Sequence, residues 1–106
     1  MILGKVGTPR KFDLRPLLFI VTIDDEARRW AFTKAHDLRL KGLRVEIDYL
    51  GRSVKAQMRE ANRQEALYTV VIGGTELLSS SARLKNMQTG GETAVHLDEI
   101  ESAIQS

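Results

Sequence analysis

The sequence predicts a single α/β domain with a mixed sheet of five strands, three of them parallel, and helices on both faces. Two near-continuous apolar runs, residues 17–23 and 67–74, are rich in β-branched residues and predict strands buried on both sides. Between them, an amphipathic segment of helix length is followed by an alternating strand, which is the spacing of a right-handed parallel crossover. The fold class follows from these two observations.

Composition places the 106-residue chain among ordinary globular proteins, with 42% hydrophobic and 28% charged residues. The formal net charge of +2 does not by itself demand a polyanionic partner. Cysteine is absent, which excludes disulfides and thiol chemistry. No apolar run reaches membrane-spanning length and no signal peptide is visible, so we expect a cytoplasmic protein without a membrane partner.

The first half of the predicted domain begins after an irregular arm, residues 1–16, which glycines and prolines interrupt. The domain itself is predicted over residues 17–106. After the first strand, the carboxylates of Asp24, Asp25 and Glu26 are expected to cap a helix that runs to about Lys41, and Gly42 supplies its left-handed end. Residues 43–49 then alternate apolar and charged side chains, the pattern of a strand with one wet side or an edge position.

A second helix is predicted from Ser53, its expected N-cap, with Val54, Met58 and Ala61 on the buried face. The run at 67–74 follows and belongs in the middle of the sheet. Beyond it we predict a short helical turn at 75–81, strands at 82–88 and 92–97 joined by a tight turn, and a final amphipathic helix that begins at Asp98.

Catalysis has little support in the sequence. His36 and His96 fall on different predicted elements, no metal-binding spacing is present, and the chain has no nucleophile elbow or phosphate loop. We therefore expect no catalytic residue, no metal and no cofactor. The pair Gly73-Gly74 is a weak phosphate signal, because ending a strand is the commoner role of such glycines.

A basic stripe on the second helix is the better lead. Lys55, Arg59 and Arg63 recur at helical spacing, and Arg52 lies just before the helix start, where side-chain charge and free amides both attract anions. Polynucleotide phosphate fits this arrangement, and so does a solvated helix face. Tyr49 lies nearby in sequence and is suited to stack on an unpaired base.

Three blocks of sequence resemble one known family. They are GRSVKAQMREA at residues 51–61, ALYTVVIG at 66–73 and LKNMQTGGET at 84–93. In the same order and register, they look like the C-terminal anticodon-binding domain of histidyl-tRNA synthetases. The resemblance covers about residues 17–104 and implies a three-layer α/β/α fold with strand order 2-1-3-4-5, strand 4 being antiparallel.

The resemblance also implies a function, which is the binding of transfer RNA, most naturally the histidine-specific tRNA. Arg52, Ser53 and Lys55 match the family's helix start. Arg52 and Lys55 would position phosphate, with Lys85 on the same basic edge. Glu76 matches an acidic residue after the central strand that would accept hydrogen bonds from base amino groups.

Nothing in the chain resembles the synthetase's catalytic motifs, so we do not expect it to aminoacylate by itself. The alternative is a protein-interaction or regulatory module that reuses the fold and packs against a synthetase catalytic domain or a homodimer partner. An open basic edge would favour RNA, and an exposed apolar patch would favour the interaction module.

Overall fold

A five-stranded mixed sheet lies at the centre of the structure, a computed structural model that describes residues 15–105. Its elements in chain order are β1 (Leu18–Thr22), α1 (Asp25–Leu40), β2 (Val45–Ile47), α2 (Val54–Arg63), β3 (Tyr68–Ile72), α3 (Gly74–Ser79), β4 (Ser81–Asn86), β5 (Glu92–His96) and α4 (Ile100–Gln105), with a 3-10 turn at Leu97–Glu99 before α4. The order of strands is β2-β1-β3-β4-β5, as expected. Of the arm expected at residues 1–16, all but the last two residues lie outside the described part.

Strand pairing confirms the predicted crossovers. β1 pairs in parallel with both β2 and β3, so that Leu18 lies opposite Val45 on one side and Tyr68 on the other. β4 is antiparallel to β3 and to β5. The apolar run at 67–74 therefore supplies the central strand, and the alternating segment supplies an edge strand, as its pattern predicted.

The two faces of the sheet carry unequal cover. One face packs against α1 and α4, whose buried residues include the predicted stripe of Ala27, Ala31, Ala35 and Leu38. The other face packs against α2 alone, over a smaller cluster around Phe19 and Val21. Within residues 15–105, no helix covers β4 and β5 on the α2 side of the sheet.

Both predicted helix caps are present. Asp24 Oδ1 accepts a hydrogen bond from the Ala27 amide at 2.8 Å, and Ser53 Oγ accepts one from the Ala56 amide at 3.2 Å. Gly42, just beyond the end of α1, has a φ of +88°, which is the left-handed conformation expected of it.

The predicted buried face of α2 was wrong in one respect. Ala61 is buried and Val54 and Met58 pack partly buried against the core, but the largest fully buried side chain of this helix is Gln57, which is 1% exposed. Its Oε1 accepts from the Thr22 amide at 2.9 Å, and its Nε2 donates to the Thr22 carbonyl at 2.8 Å. The pairing of β1 with β2 ends before Thr22, so the Gln57 amide supplies the partner that β2 does not.

Candidate functional site

The uncovered part of the sheet forms a groove of about 500 Å³. Its floor is the α2-facing side of β3, β4 and β5, and α2 is one of its walls. The lining residues are Met58, Thr69, Val71, Glu76, Ser81, Ala82, Arg83, Lys85, Glu92 and Ala94. The groove thus combines a flat, partly apolar floor with charged groups of both signs.

The cations of the groove come from alternate positions of β4. Because side chains alternate along a strand, Arg83 and Lys85 share the face opposite the buried Ala82 and Leu84. Lys85 lies directly between Thr69 of β3 and Glu92 of β5. The Arg83 side chain is 79% exposed and reaches Glu92 Oε1 at 3.5 Å, a solvated pair that holds the guanidinium weakly. Both cations are therefore available to an anionic ligand.

A second pair of cations lies on the exposed surface of α2. Lys55 and Arg59 are one helical turn apart, and Lys55 is three residues before Met58, which places it on the same side of the helix as the groove. Within the described range neither has an ion-pair partner. Ser53 lies at the start of the same helix, where its hydroxyl oxygen is occupied by the capping hydrogen bond.

Arg52 differs from these cations because it is ion-paired. Its Nε donates to Asp48 Oδ1 at 2.8 Å, and its backbone amide donates to Asp48 Oδ2 at 2.7 Å. The Asp48 side chain is 1% exposed and that of Arg52 is 39% exposed. Burial alone would raise the pKa of Asp48, but the hydrogen bonds from Arg52 outweigh it and the pKa is lowered. The simple solvated cation expected at this position is therefore replaced by a neutral pair.

Tyr49 lies away from the groove. Its hydroxyl oxygen accepts from Arg39 Nη2 at 3.0 Å, and its ring packs on Phe32 with centroids 5.5 Å apart. Arg39 and Phe32 belong to α1, which covers the opposite face of the sheet. The structure does not bring Tyr49 together with Lys85 or Glu76.

The amides at the end of β3 do not form an anion site. The Gly74 amide donates to Asp24 Oδ2 at 3.0 Å, and the Gly73 amide donates to Glu76 Oε1 at 2.8 Å. Hydrogen bonds from Ala27 and then from Gly74 lower the pKa of Asp24, which keeps that carboxylate ionised. Protein carboxylates thus occupy the positions a phosphate would take, and the weak phosphate signal of the two glycines was misleading.

The structure brings together only some of the predicted RNA-binding residues. Glu76 and Lys85 line the groove, Lys55 lies beside it, and Arg59 continues along the exposed side of α2. Arg83 was missed, although the alternation of residues 81–86 could have found it. Thr69 and Met58 carried no signal, because neither residue type is distinctive.

The two histidines do not come together as a site in the part of the chain that the structure describes. His36 lies on α1, and His96 in β5 accepts a hydrogen bond from the Asp98 amide through Nδ1. Across residues 15–105, no three side chains of metal-binding type come close enough to hold an ion. In the same range, no helix combines the length and the apolar character needed to cross a bilayer.

Comparison with known protein families matches residues 17–106 to the anticodon binding domain. Among curated relatives, the histidine–tRNA ligase of Caldanaerobacter subterraneus subsp. tengcongensis is 54% identical over 91 residues, which is 86% of this chain and 22% of the ligase. The histidine–tRNA ligase of Staphylococcus saprophyticus is 45% identical over 96 residues, again covering 22% of the ligase. The chain therefore spans about a fifth of the length of these relatives.

Solved structures give the same result. The chain is similar to apo histidyl-tRNA synthetase from S. aureus, with a TM-score of 0.83 and 38% identity over 87% of this chain and 24% of that one. The RNA binding domain of threonyl-tRNA synthetase from Cryptosporidium parvum matches with a TM-score of 0.74 at 20% identity, covering 87% of this chain and 23% of that one, a likeness of fold.

Proposed function

Because the chain belongs to the anticodon-binding domain family, we propose that it binds the anticodon region of a transfer RNA across the groove and the exposed side of α2. The observation that carries this proposal is the pair of β4 cations, Arg83 and Lys85, on a sheet face that no described helix covers. An open, flat sheet face that carries exposed cations suits a single-stranded nucleic acid.

The groove offers each kind of contact that an unpaired RNA loop uses. Met58 and Val71 present apolar surface on which a splayed base can lie. Arg83 and Lys85 neutralise phosphates, and Lys55 extends the cationic surface along α2. Glu76 uses one carboxylate oxygen to cap α3, which leaves the other to accept hydrogen bonds from a base amino group.

The tRNA we propose is the histidine-specific one. The curated relatives are histidine–tRNA ligases at 54% and 45% identity. Since the matched part is about a fifth of those enzymes, aminoacylation would be carried by the remainder of such a ligase. The chain itself would contribute binding and not chemistry.

A second candidate function is packing against a synthetase catalytic domain. It is favoured by three large apolar side chains at the carboxyl edge of the sheet, Ile23, Leu50 and Leu78, which are 57%, 76% and 90% exposed. About four-fifths of each ligase relative lies outside the matched part and could supply the partner. The oligomeric state of the purified chain, measured by light scattering, separates this role from self-association.

The RNA proposal is tested by fluorescence anisotropy of a labelled histidine tRNA against a non-cognate tRNA over a salt series. Because each neutralised phosphate releases counterions, replacing Arg83 or Lys85 with alanine should weaken binding and reduce the slope of log affinity against log salt by about one per residue. Lys34→Ala is the matched control, since Lys34 lies on α1, which packs on the opposite face of the sheet. If the groove variants bind as the control does, the proposed surface is wrong.

A further inference from the structure

Arg52 is held more firmly than the other cations near the proposed site. The Asp48 carboxylate accepts hydrogen bonds from the Arg52 backbone amide and from Arg52 Nε. The buried Gln57 donates from Nε2 to the Arg52 carbonyl at 2.7 Å. Three contacts from two buried side chains thus fix both the main chain and the first half of the guanidinium. A flexible surface arginine has no such support, so Arg52 is preorganised.

The free end of Arg52 is its pair of terminal amino groups. Neither has a hydrogen-bond partner within residues 15–105, and the side chain is 39% exposed. Two parallel donors in a fixed plane match a ligand with two adjacent acceptors. Such a ligand is either a phosphate or a base edge.

Charge separates these two ligands. The Asp48 carboxylate, which accepts from Arg52 Nε at 2.8 Å, already neutralises Arg52. A phosphate on the terminal amino groups would be repelled by that carboxylate. A neutral base edge would keep the directional hydrogen bonds without that repulsion.

We propose that Arg52 is a specificity-determining residue that donates its two terminal amino groups to the edge of a guanine, with Asp48 and Gln57 as its positioning residues. Guanine is the base that presents two adjacent acceptors, O6 and N7, on one edge. This inference rests on the proposed tRNA binding and changes the role of Arg52 from an electrostatic anchor to a reader of sequence.

The first test distinguishes the charge of Arg52 from its directional hydrogen bonds. Arg52→Lys keeps the charge but loses the planar pair of donors, so we expect affinity for the histidine tRNA to fall about 5- to 100-fold with an unchanged salt slope. Lys55→Ala is the matched comparison, and it should reduce the salt slope by about one. An Arg52→Lys variant that binds like the unsubstituted chain would overturn the inference.

The second test locates the base. Each guanine of the anticodon loop is replaced in turn by 7-deazaguanine, which lacks the N7 acceptor. One replacement should weaken binding to the unsubstituted chain and have no effect on Arg52→Lys, and coupling at no guanine would overturn the inference. Asp48→Asn should lower the discrimination at that guanine and steepen the salt dependence, because the released guanidinium then acts as an ordinary charge.

The outcomes keep the two proposals apart. Loss of binding in Arg83→Ala and Lys85→Ala with no effect of Arg52→Lys would leave the proposed function standing and remove the role of Arg52. Absence of tRNA binding by the unsubstituted chain would remove both. Circular dichroism at the assay temperature shows whether the Arg52 and Asp48 variants are folded, so that a change in binding by a folded variant reports recognition.

Discussion

Replacing Gln57 with methionine should destabilise the domain strongly although it keeps the size of the side chain. The substitution leaves the Thr22 amide and the Thr22 carbonyl without partners, and Thr22 is only 5% exposed. Each unsatisfied buried group costs about 1–3 kcal/mol, so the expected loss is about 2–6 kcal/mol. A domain of this size is stable by about 5–15 kcal/mol, and the melting temperature should fall by at least about 10 °C.

Urea unfolding followed by circular dichroism measures this loss. An unchanged slope of the unfolding free energy against urea concentration checks that unfolding remains two-state. The matched control is Gln64→Met, since Gln64 is only partly buried and its side-chain amide donates only to the Glu60 carboxylate. We expect the control to cost less than about 1 kcal/mol. If the Gln57 and Gln64 variants lose the same stability, Gln57 does not satisfy the end of β1 as described.

Two further predictions concern charge and capping. Hydrogen bonds from Arg63 and Gln64 hold the pKa of Glu60 at about 2, below its ordinary 4.5, so this carboxylate stabilises the fold above pH 4.5 and loses that effect as the pH falls toward 2. Glu60→Gln should flatten the stability profile over that window in acid titrations. Ser53→Ala removes an ordinary helix cap and should cost about 1 kcal/mol of stability. Asp24→Ala should lower the melting temperature further, because the Asp24 carboxylate accepts hydrogen bonds from the amides of both Ala27 and Gly74. Equal melting temperatures of the two variants would contradict a stabilising role of the hydrogen bond from Gly74.

The fold was largely predictable because its elements have strong local signals. The apolar runs at 17–23 and 67–74 supplied the two inner parallel strands, and alternation identified the β2 edge strand. Gln57 was missed for a physical reason: a polar residue on a helix is expected to face solvent unless tertiary structure provides backbone groups for it. Those groups exist here because β2 ends early, a fact that no local pattern encodes.

The candidate site was predictable only in part. The resemblance led to Lys85 and Glu76, and helical spacing led to Lys55 and Arg59. The uncovered half of the sheet could not be foreseen, because it depends on where α2 docks. The pairing of Arg52 with Asp48 was also hidden, since it depends on a loop in which Gly51 takes a φ of +67°.

The unequal cover of the sheet has a consequence for the order in which the domain opens. β1 is buried along its whole length, whereas four of the five residues of β5 are exposed and only Val95 is partly buried. Amide protons of β5 and the outer half of β4 should therefore exchange with solvent through local openings, and those of β1 only through global unfolding. A ligand lying across β4 and β5 would slow exchange there and leave β1 unchanged, which links recognition to the least protected part of the fold.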